Sequence, residues 1–288
     1  MTSLIQCVPN FSEGRDPAVI AAIVDAVQQT DGVRLADWSA DADHHRLVMT
    51  FIGPPEPVRN AAMAAAEAAI RLIDLRHHDG VHPRHGALDV LPFVPLSDIS
   101  LEECAALARE VAQQLADRHT LPVFLYEASS PEGRTLPFVR KNIFASLAPD
   151  FGPQRFHPTA GAAIIGARPP LIAYNINLAS SDIQPARVIA RELRTLPHLP
   201  GIRALGLALP TRGLTQVSMN ITRPAETPLV ALFEHVSRRA GEMGTAVVES
   251  EVIGALPGPS SFDVICDALK CVGLKPGQIL LENWPLGY

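Results

Sequence analysis

Four of the chain's ten histidines fall between His77 and His85, in the stretch HHDGVHPRHGALDVLPFVP that runs from residue 77 to 95. Imidazole can take up and return a proton near neutral pH, so a histidine-dense loop is a natural seat for acid–base chemistry. His82 is the best placed of the four, because Val81 and Pro83 restrict its backbone on the approach to an apolar run. By residue type alone, a surface or hydrogen-bonded histidine is the commoner reading. A metal site is the second chemistry to weigh, with His77, His78, His82 and His85 as nitrogen donors and Asp74, Asp79 or Asp89 as carboxylates. The spacing fits neither HExxH nor a paired finger pattern, and no cysteine lies nearby, so metal is disfavoured.

Other chemistries find less support. There is no GxSxG elbow, and Cys7 sits in an apolar run where a thiol packs rather than reacts. Neither GxxxxGK[ST] nor GxGxxG occurs, which argues against an ATP- or NAD-dependent enzyme. Asp37, Asp41 and Asp43, with His44 and Arg46, gather around a polar turn and are otherwise read as a solvated tip.

The elements that must position these groups follow from hydrophobic spacing. Residues 3–8 read as a strand ended by Pro9, and Asn10–Gly14 as a polar turn. Asp16-Pro17 opens a helix that Val19, Ile20, Ile23, Val24 and Val27 carry to about residue 29. Strands over 33–38 and 46–53 pair as a hairpin, an Ala-rich helix runs from Pro55 to about Leu75, and the histidine loop leads into a strand over 87–94. This β-α-β-β-α-β order is the split-βαβ, ferredoxin-like arrangement. In it, we expect the hairpin turn to lie at the opposite end of the sheet from the loop after the first strand.

A helix over 101–118 and a strand over 122–126 follow. The Pro- and Gly-rich stretch from Ala148 to Gly161 marks the boundary between halves. A second β-α-β-β-α-β pass then occupies 171–178, 183–195, 201–209, 214–221, 227–243 and 246–253, with a short helix near 261–271. The expectation is an α/β (α+β) protein of two ferredoxin-like subdomains with mainly antiparallel sheets, divided as 1–170 and 171–288. Strand parity adds a candidate binding face. Asn175 and Asn177 share one side of their strand, and Gln216, Ser218 and Asn220 one side of theirs. Such neutral rows, free of charge, either face water or line a ligand cleft.

Composition bounds the partners. The 288 residues are 47% hydrophobic and carry a net charge of −6, which gives no reason to expect nucleic acid or an anionic membrane. Cys7, Cys104, Cys266 and Cys271 are scattered without a CxxC pair, as in a reduced, cytoplasmic protein. No secretory signal opens the chain and no apolar stretch is long enough to span a bilayer. A soluble, intracellular protein is expected.

Several blocks together carry a resemblance: CVPNFSEG (7–14), DHHR (43–46), LIDLRHHDGVHPRHGALDVLPFVP (72–95), LYEASS (125–130), APDFGP and HPTAGAAIIGARPPLIAYNINL (within 148–178) and QVSMNITRPAETPL (216–229). In them the chain resembles glutamate formiminotransferase, the folate-dependent enzyme family of histidine breakdown. The resemblance implies transfer of a formimino group from N-formiminoglutamate to N5 of tetrahydrofolate, without metal or nucleotide. It gives the catalytic role to His82, and folate binding to Gly152, Pro153, Gln154, Arg155, Phe156, His157, Pro158, Thr159, Ala160 and Gly161. It further implies a homodimer whose two subdomain sheets face each other across a ligand tunnel. Arg46 and Arg84 suit substrate carboxylates, which a guanidinium binds bidentately. Asn175, Asn177, Gln216 and Ser218 suit the tunnel wall. The chain departs from the family pattern at His45, where Asn is common, and at His85, where Met or Ile is common. The rival readings are another formimino donor or 5-formyltetrahydrofolate on the same scaffold, and a non-catalytic folate-binding protein.

Overall fold

Residues 3–80, 84–224, 226–254, 256–257, 269–273 and 279–280 are described by the computed structural model. The chain divides into two compact units, one running to Pro169 and the other starting at Pro170.

The first unit contains β1 (Leu4–Cys7), β2 (Asn10–Phe11), α1 (Pro17–Gln28), β3 (Arg34–Asp41), β4 (Arg46–Gly53), α2 (Pro55–Leu72) and β5 (Leu88–Ser97). After these come α3 (Leu101–His119), β6 (Val123–Glu127), α4 (Leu136–Asn142) and β7 (Ala163–Ala167). Local chemistry sets the helix starts. The Asp16 carboxylate accepts the Ala18 and Val19 N–H groups ahead of α1, and Ser100 forms a capping box with Glu103 ahead of α3. In α2 the buried stripe is mostly alanine, which lets the helix lie close to the sheet with little loss of side-chain entropy.

β3, β4, β1 and β5 lie side by side in that order and pair antiparallel, the split-βαβ arrangement read from the sequence. Two features differ from expectation. Pro9 does not end the first strand's ladder: Asn10 and Phe11 go on pairing with β4 and β5 as β2, since Pro9 still offers its carbonyl to the Met49 N–H. The stretch between Gly161 and Leu171, to which the sequence assigns no element, contains β7. It slots between β5 and β6, parallel to both. A central parallel strand is buried on both faces, and all five residues of AIIGA are buried, so there is no alternation to mark it. Helices α1, α2 and α3 cover one face of this sheet around Phe11, Phe51 and Phe93. On the other face α4 brings Val139 and Ile143 onto Val90, Phe124 and Ile164.

The topology also corrects the expected placement of the hairpin turn. β4 runs antiparallel to β2, with Phe11 opposite Leu47, so the start of β4 lies beside the end of β2. The β3–β4 turn, the loop after β2 and the loop before β5 therefore share one end of the sheet, because β5 is antiparallel to β1 and β2 as well.

The second unit contains β8 (Ile172–Leu178), α5 (Gln184–Leu193), β9 (Ile202–Leu209), β10 (Leu214–Ile221), α6 (Leu229–Glu242) and β11 (Val247–Ile253). Its four strands are all antiparallel in the order β11-β8-β10-β9, the same arrangement again. Ala186, Ile189, Ala190 and Leu193 of α5, and Leu232, Val236 and Ala240 of α6, keep helical spacing and cover one face with Tyr174, Ile176, Val217 and Met219. Leu256–Pro257 and Ile279–Leu280 form a short parallel pair, β12 and β13. The helix expected near 261–271 lies mostly outside the described residues. Among the described residues no helix is long and apolar enough to cross a membrane.

Candidate active site

The shared end of the first unit's sheet gathers side chains from four separate stretches. Glu13, directly after β2, points one carboxylate oxygen, Oε1, at three successive backbone N–H groups: Gly14 at 2.8 Å, Arg15 at 2.8 Å and Asp16 at 3.0 Å. Burial alone would raise the Glu13 carboxyl, but those N–H groups and His45 outweigh it and hold it below its ordinary value. The same oxygen lies 3.0 Å from Nε2 of His45 in the β3–β4 turn. That turn is itself tied by Asp41, whose carboxylate accepts the His44 N–H at 2.7 Å.

His45 reaches across to the histidine loop. Its Nδ1 lies 2.7 Å from the Asp79 carbonyl, and its ring stacks on His78 with centroids 3.7 Å apart. Arg84 closes the group. Its Nη1 lies 2.8 Å from Nε2 of His78, and its Nη2 donates to the His44 carbonyl at 2.8 Å. Burial, then the charge of Arg84, pushes the His78 imidazole down to about 4, so it is a neutral ring at physiological pH. Gly80 is required where it stands. A Cβ there would sit 2.6 Å from Arg84 Nη2 and 2.7 Å from the His44 carbonyl.

Beside this group, deeper in the sheet, Asp89 on β5 is only 1% exposed. It accepts the His85 N–H at 2.9 Å, Arg46 at 3.3 Å and Arg140 of α4 at 2.5 Å. Arg46 also donates to Asn10 at 3.0 Å through Nε. Desolvation lowers the Arg46 guanidinium to about 10, so it stays charged at neutral pH. Two guanidiniums thus share one buried carboxylate.

The segment from Gly152 to Gly161 runs along the histidine loop, tied to it by backbone. Leu75 N–H donates to the Thr159 carbonyl at 2.9 Å, Ala87 N–H to Ala160 at 2.9 Å, and Ala162 N–H to His85 at 2.8 Å. Gly161 makes the close approach possible, with φ of +70° and room for a Cβ only 2.2 Å from the His85 carbonyl. Between loop and segment lies a cavity of about 360 Å³, lined among others by His78, Arg84, His85, Phe156, His157 and Thr159. Desolvation holds His85 and His157 below the ordinary histidine value, as it does His78. The lining therefore offers neutral imidazoles to accept protons, a guanidinium for an anion, and the 47%-exposed ring of Phe156, which Phe144 props edge-on at 4.6 Å.

Of the residues singled out from the sequence, His82 lies outside the described residues, as do Val81 and Pro83. Arg84 comes together with Phe156, His157, Pro158, Thr159 and Gly161 at the cavity, Gly152, Pro153, Gln154, Arg155 and Ala160 are not among its lining residues, and Arg46 is drawn into the Asp89 network. Asn175, Asn177, Gln216 and Ser218 lie in the second unit, on one face of β8 and β10, with Gln216 opposite Asn177 and Ser218 opposite Asn175. The two rows are themselves neutral, but the face they share also carries charge, because β11 adds Glu249 and Glu251. Asn177 donates to Glu249 at 2.9 Å, Asn175 to Glu251 at 3.1 Å, and Gln216 to Glu251 at 3.1 Å. Arg212 pairs with Glu249 from the β9–β10 connection. The sequence rows miss this because β11 is the last strand of the unit yet lies next to β8.

Residue reasoning also passes over Glu13 and Arg140. The one signal for Glu13 is a carboxylate placed between a strand end and a helix N-cap. Arg140 has none, since the sequence predicts no helix at α4. Among the described residues, no group of three or more His, Cys, Asp or Glu could hold a metal ion.

The chain's relatives bear on this geometry. Residues 4–168 match the family model of the formiminotransferase domain, N-terminal subdomain, and residues 173–268 that of the formiminotransferase domain. The glutamate formimidoyltransferase of Streptococcus pyogenes serotype M1 is 38% identical, with the whole of both chains covered. That of Thermoplasma acidophilum is 38% identical over 96% of each chain. The formimidoyltransferase-cyclodeaminase of Rattus norvegicus is 40% identical over 96% of this chain, which spans 54% of that longer protein. With both halves matched and full-length relatives at this identity, the chain belongs to the formiminotransferase family.

Proposed function

We propose that the protein transfers the formimino group of N-formimino-L-glutamate to N5 of tetrahydrofolate, releasing glutamate, with His82 carrying the proton. In this reaction N5 attacks the formimino carbon, the new N5–C bond forms and the bond from that carbon to the glutamate nitrogen breaks. N5 must shed its proton and the departing nitrogen must gain one, so a single imidazole can serve as base and then as acid.

The observation that carries this reading is the backbone seam between the histidine loop and the 152–161 segment, with a cavity between them. It supports a site in which the proton carrier and the bound co-substrate are neighbours. The cavity volume falls in the range of small-molecule sites, about 300–1,000 Å³. Its lining suits part of a folate: Phe156 offers a flat apolar surface, Thr159 and His157 offer polar atoms, and Arg84 a cation for a carboxylate. Arg46 acts at one remove, since its guanidinium is committed to Asn10 and Asp89. In the second unit, Asn177 and Gln216 would bind polar groups of a substrate. The Gln216 Oε1 is buried and finds no donor among the described residues.

The test is steady-state transfer with tetrahydrofolate and N-formimino-L-glutamate. His82→Ala is expected to lower kcat by about 10²–10⁴-fold, the usual worth of a positioned general base. A wild type that transfers nothing, or a variant with full activity, refutes the reading.

A further inference from the structure

The ring of His45 is held at both nitrogens by groups that can only accept. One is the backbone carbonyl of Asp79, 2.7 Å from Nδ1. The other is Oε1 of Glu13, 3.0 Å from Nε2, and that oxygen already takes the N–H groups of Gly14, Arg15 and Asp16. An acceptor crowded by donors in this way is an ionised carboxylate. The ring is therefore fixed at both ends, one nitrogen against the loop's backbone and the other against the Glu13 carboxylate.

The backbone makes the same point. His45 adopts the left-handed conformation, φ +49°, which costs free energy for a residue other than Gly, Asn or Asp. The contacts of the side chain offset that strain. They also tie the β3–β4 turn to the first residues of the histidine loop, through Asp79 and through the stack on His78. The neighbouring His44 carbonyl holds the far side of that loop through Arg84.

We propose that His45, fixed by Glu13, is a positioning residue that latches the histidine loop in its working place. Arg15 pairs with Asp79 beside this latch, and Asp41 and His44 pair with each other in its own turn. The proposal rests on the reading that this loop delivers His82.

The experiment compares wild type and His45→Asn by amide hydrogen exchange over residues 77–86, with kcat and KM. Asn tolerates the left-handed backbone, so the turn keeps its shape while one of the two bonds is lost. Loop protection in His45→Asn is expected to fall by about tenfold, the worth of one hydrogen bond to a charged group. kcat should fall with it, KM should stay within about twofold, and Tm should not fall. His45→Asn on top of His82→Ala should slow the enzyme no further. Wild-type protection and kcat in His45→Asn overturn the latch. So does a Tm that drops in step with protection, which marks a merely structural role. If instead His82→Ala keeps full activity, the catalytic reading fails, and the exchange data alone decide whether the latch exists.

Discussion

The two units share one topology and use it in opposite ways. In the first, the polar chemistry gathers toward one end of the sheet and is ionic: Glu13, His45, His78 and Arg84 on its loops, and Arg46, Asp89 and Arg140 on β4, β5 and α4 beside them. In the second, it lies on the flat of the sheet and is largely amide: Asn175, Asn177 and Gln216 against two glutamates from the adjoining strand. Loop ends let several distant segments converge, so charges can be balanced against each other and pKa values set. A sheet face offers fixed rows with a period of two residues, good for holding a ligand by hydrogen bonds but poor for tuning a proton.

The sharpest way to break this contrast is at Asp89. Replacing it with Asn leaves two half-buried guanidiniums without the buried charge they share, and is expected to cost about 3–5 kcal/mol of stability, the usual result of stripping one partner from a buried ionic group. Denaturant midpoints would measure it. A loss below about 1 kcal/mol would mean the network is as exposed as an ordinary surface pair, and the contrast would fail.

Acid provides the second, smaller probe. The folded protein holds His78 at about 4, below the ordinary histidine value of 6.5. The unfolded chain therefore binds the extra proton first. Stability from the neutral ring is full above 6.5 and is lost as pH falls toward 4. His78→Phe keeps a flat ring against His45 and removes the titration. Its unfolding midpoint is expected to fall less than that of the wild type between those pH values. Parallel pH curves for the two proteins would show that His78 contributes nothing to the acid response.

The smallest effect is expected in the second unit. Gln216→Leu removes donors to Asn177 and Glu251 but also an acceptor that has no partner among the described residues. These nearly cancel, leaving about 0–1 kcal/mol of stability. A raised KM at unchanged stability would sharpen the comparison by marking this face as a ligand surface. An unchanged KM would leave it a structural network.

What the sequence discloses follows the same division. The second unit is legible nearly to the residue, because its strands alternate cleanly and its helices carry a regular apolar stripe: Leu214–Ile221 is strand β10 in both readings. Asn177 and Gln216 are legible too, since parity alone puts them on one side. In the first unit the elements are legible up to β6 and the chemistry is not. Glu13 and His45 stand 32 positions apart, and Arg140 and Asp89 stand 51 apart. Nothing local to any of them announces the partner; only the antiparallel pairing that stacks three loops at one sheet end does. β7 escapes for another reason, because Ala163, Gly166 and Ala167 suggest a linker when their strand neighbours are unknown.

β7 also sets the order in which a nascent chain can complete its fold. It is the last strand of the first unit to be synthesised, yet it occupies a middle position, between β5 and β6. Until Ala167 has left the ribosome, β5 and β6 each present an unpaired, apolar edge, the kind that invites association with other chains. The strap of residues from Gly152 to Gly161 leads into β7, so a chain stopped short of β7 would leave those edges open and be prone to aggregate.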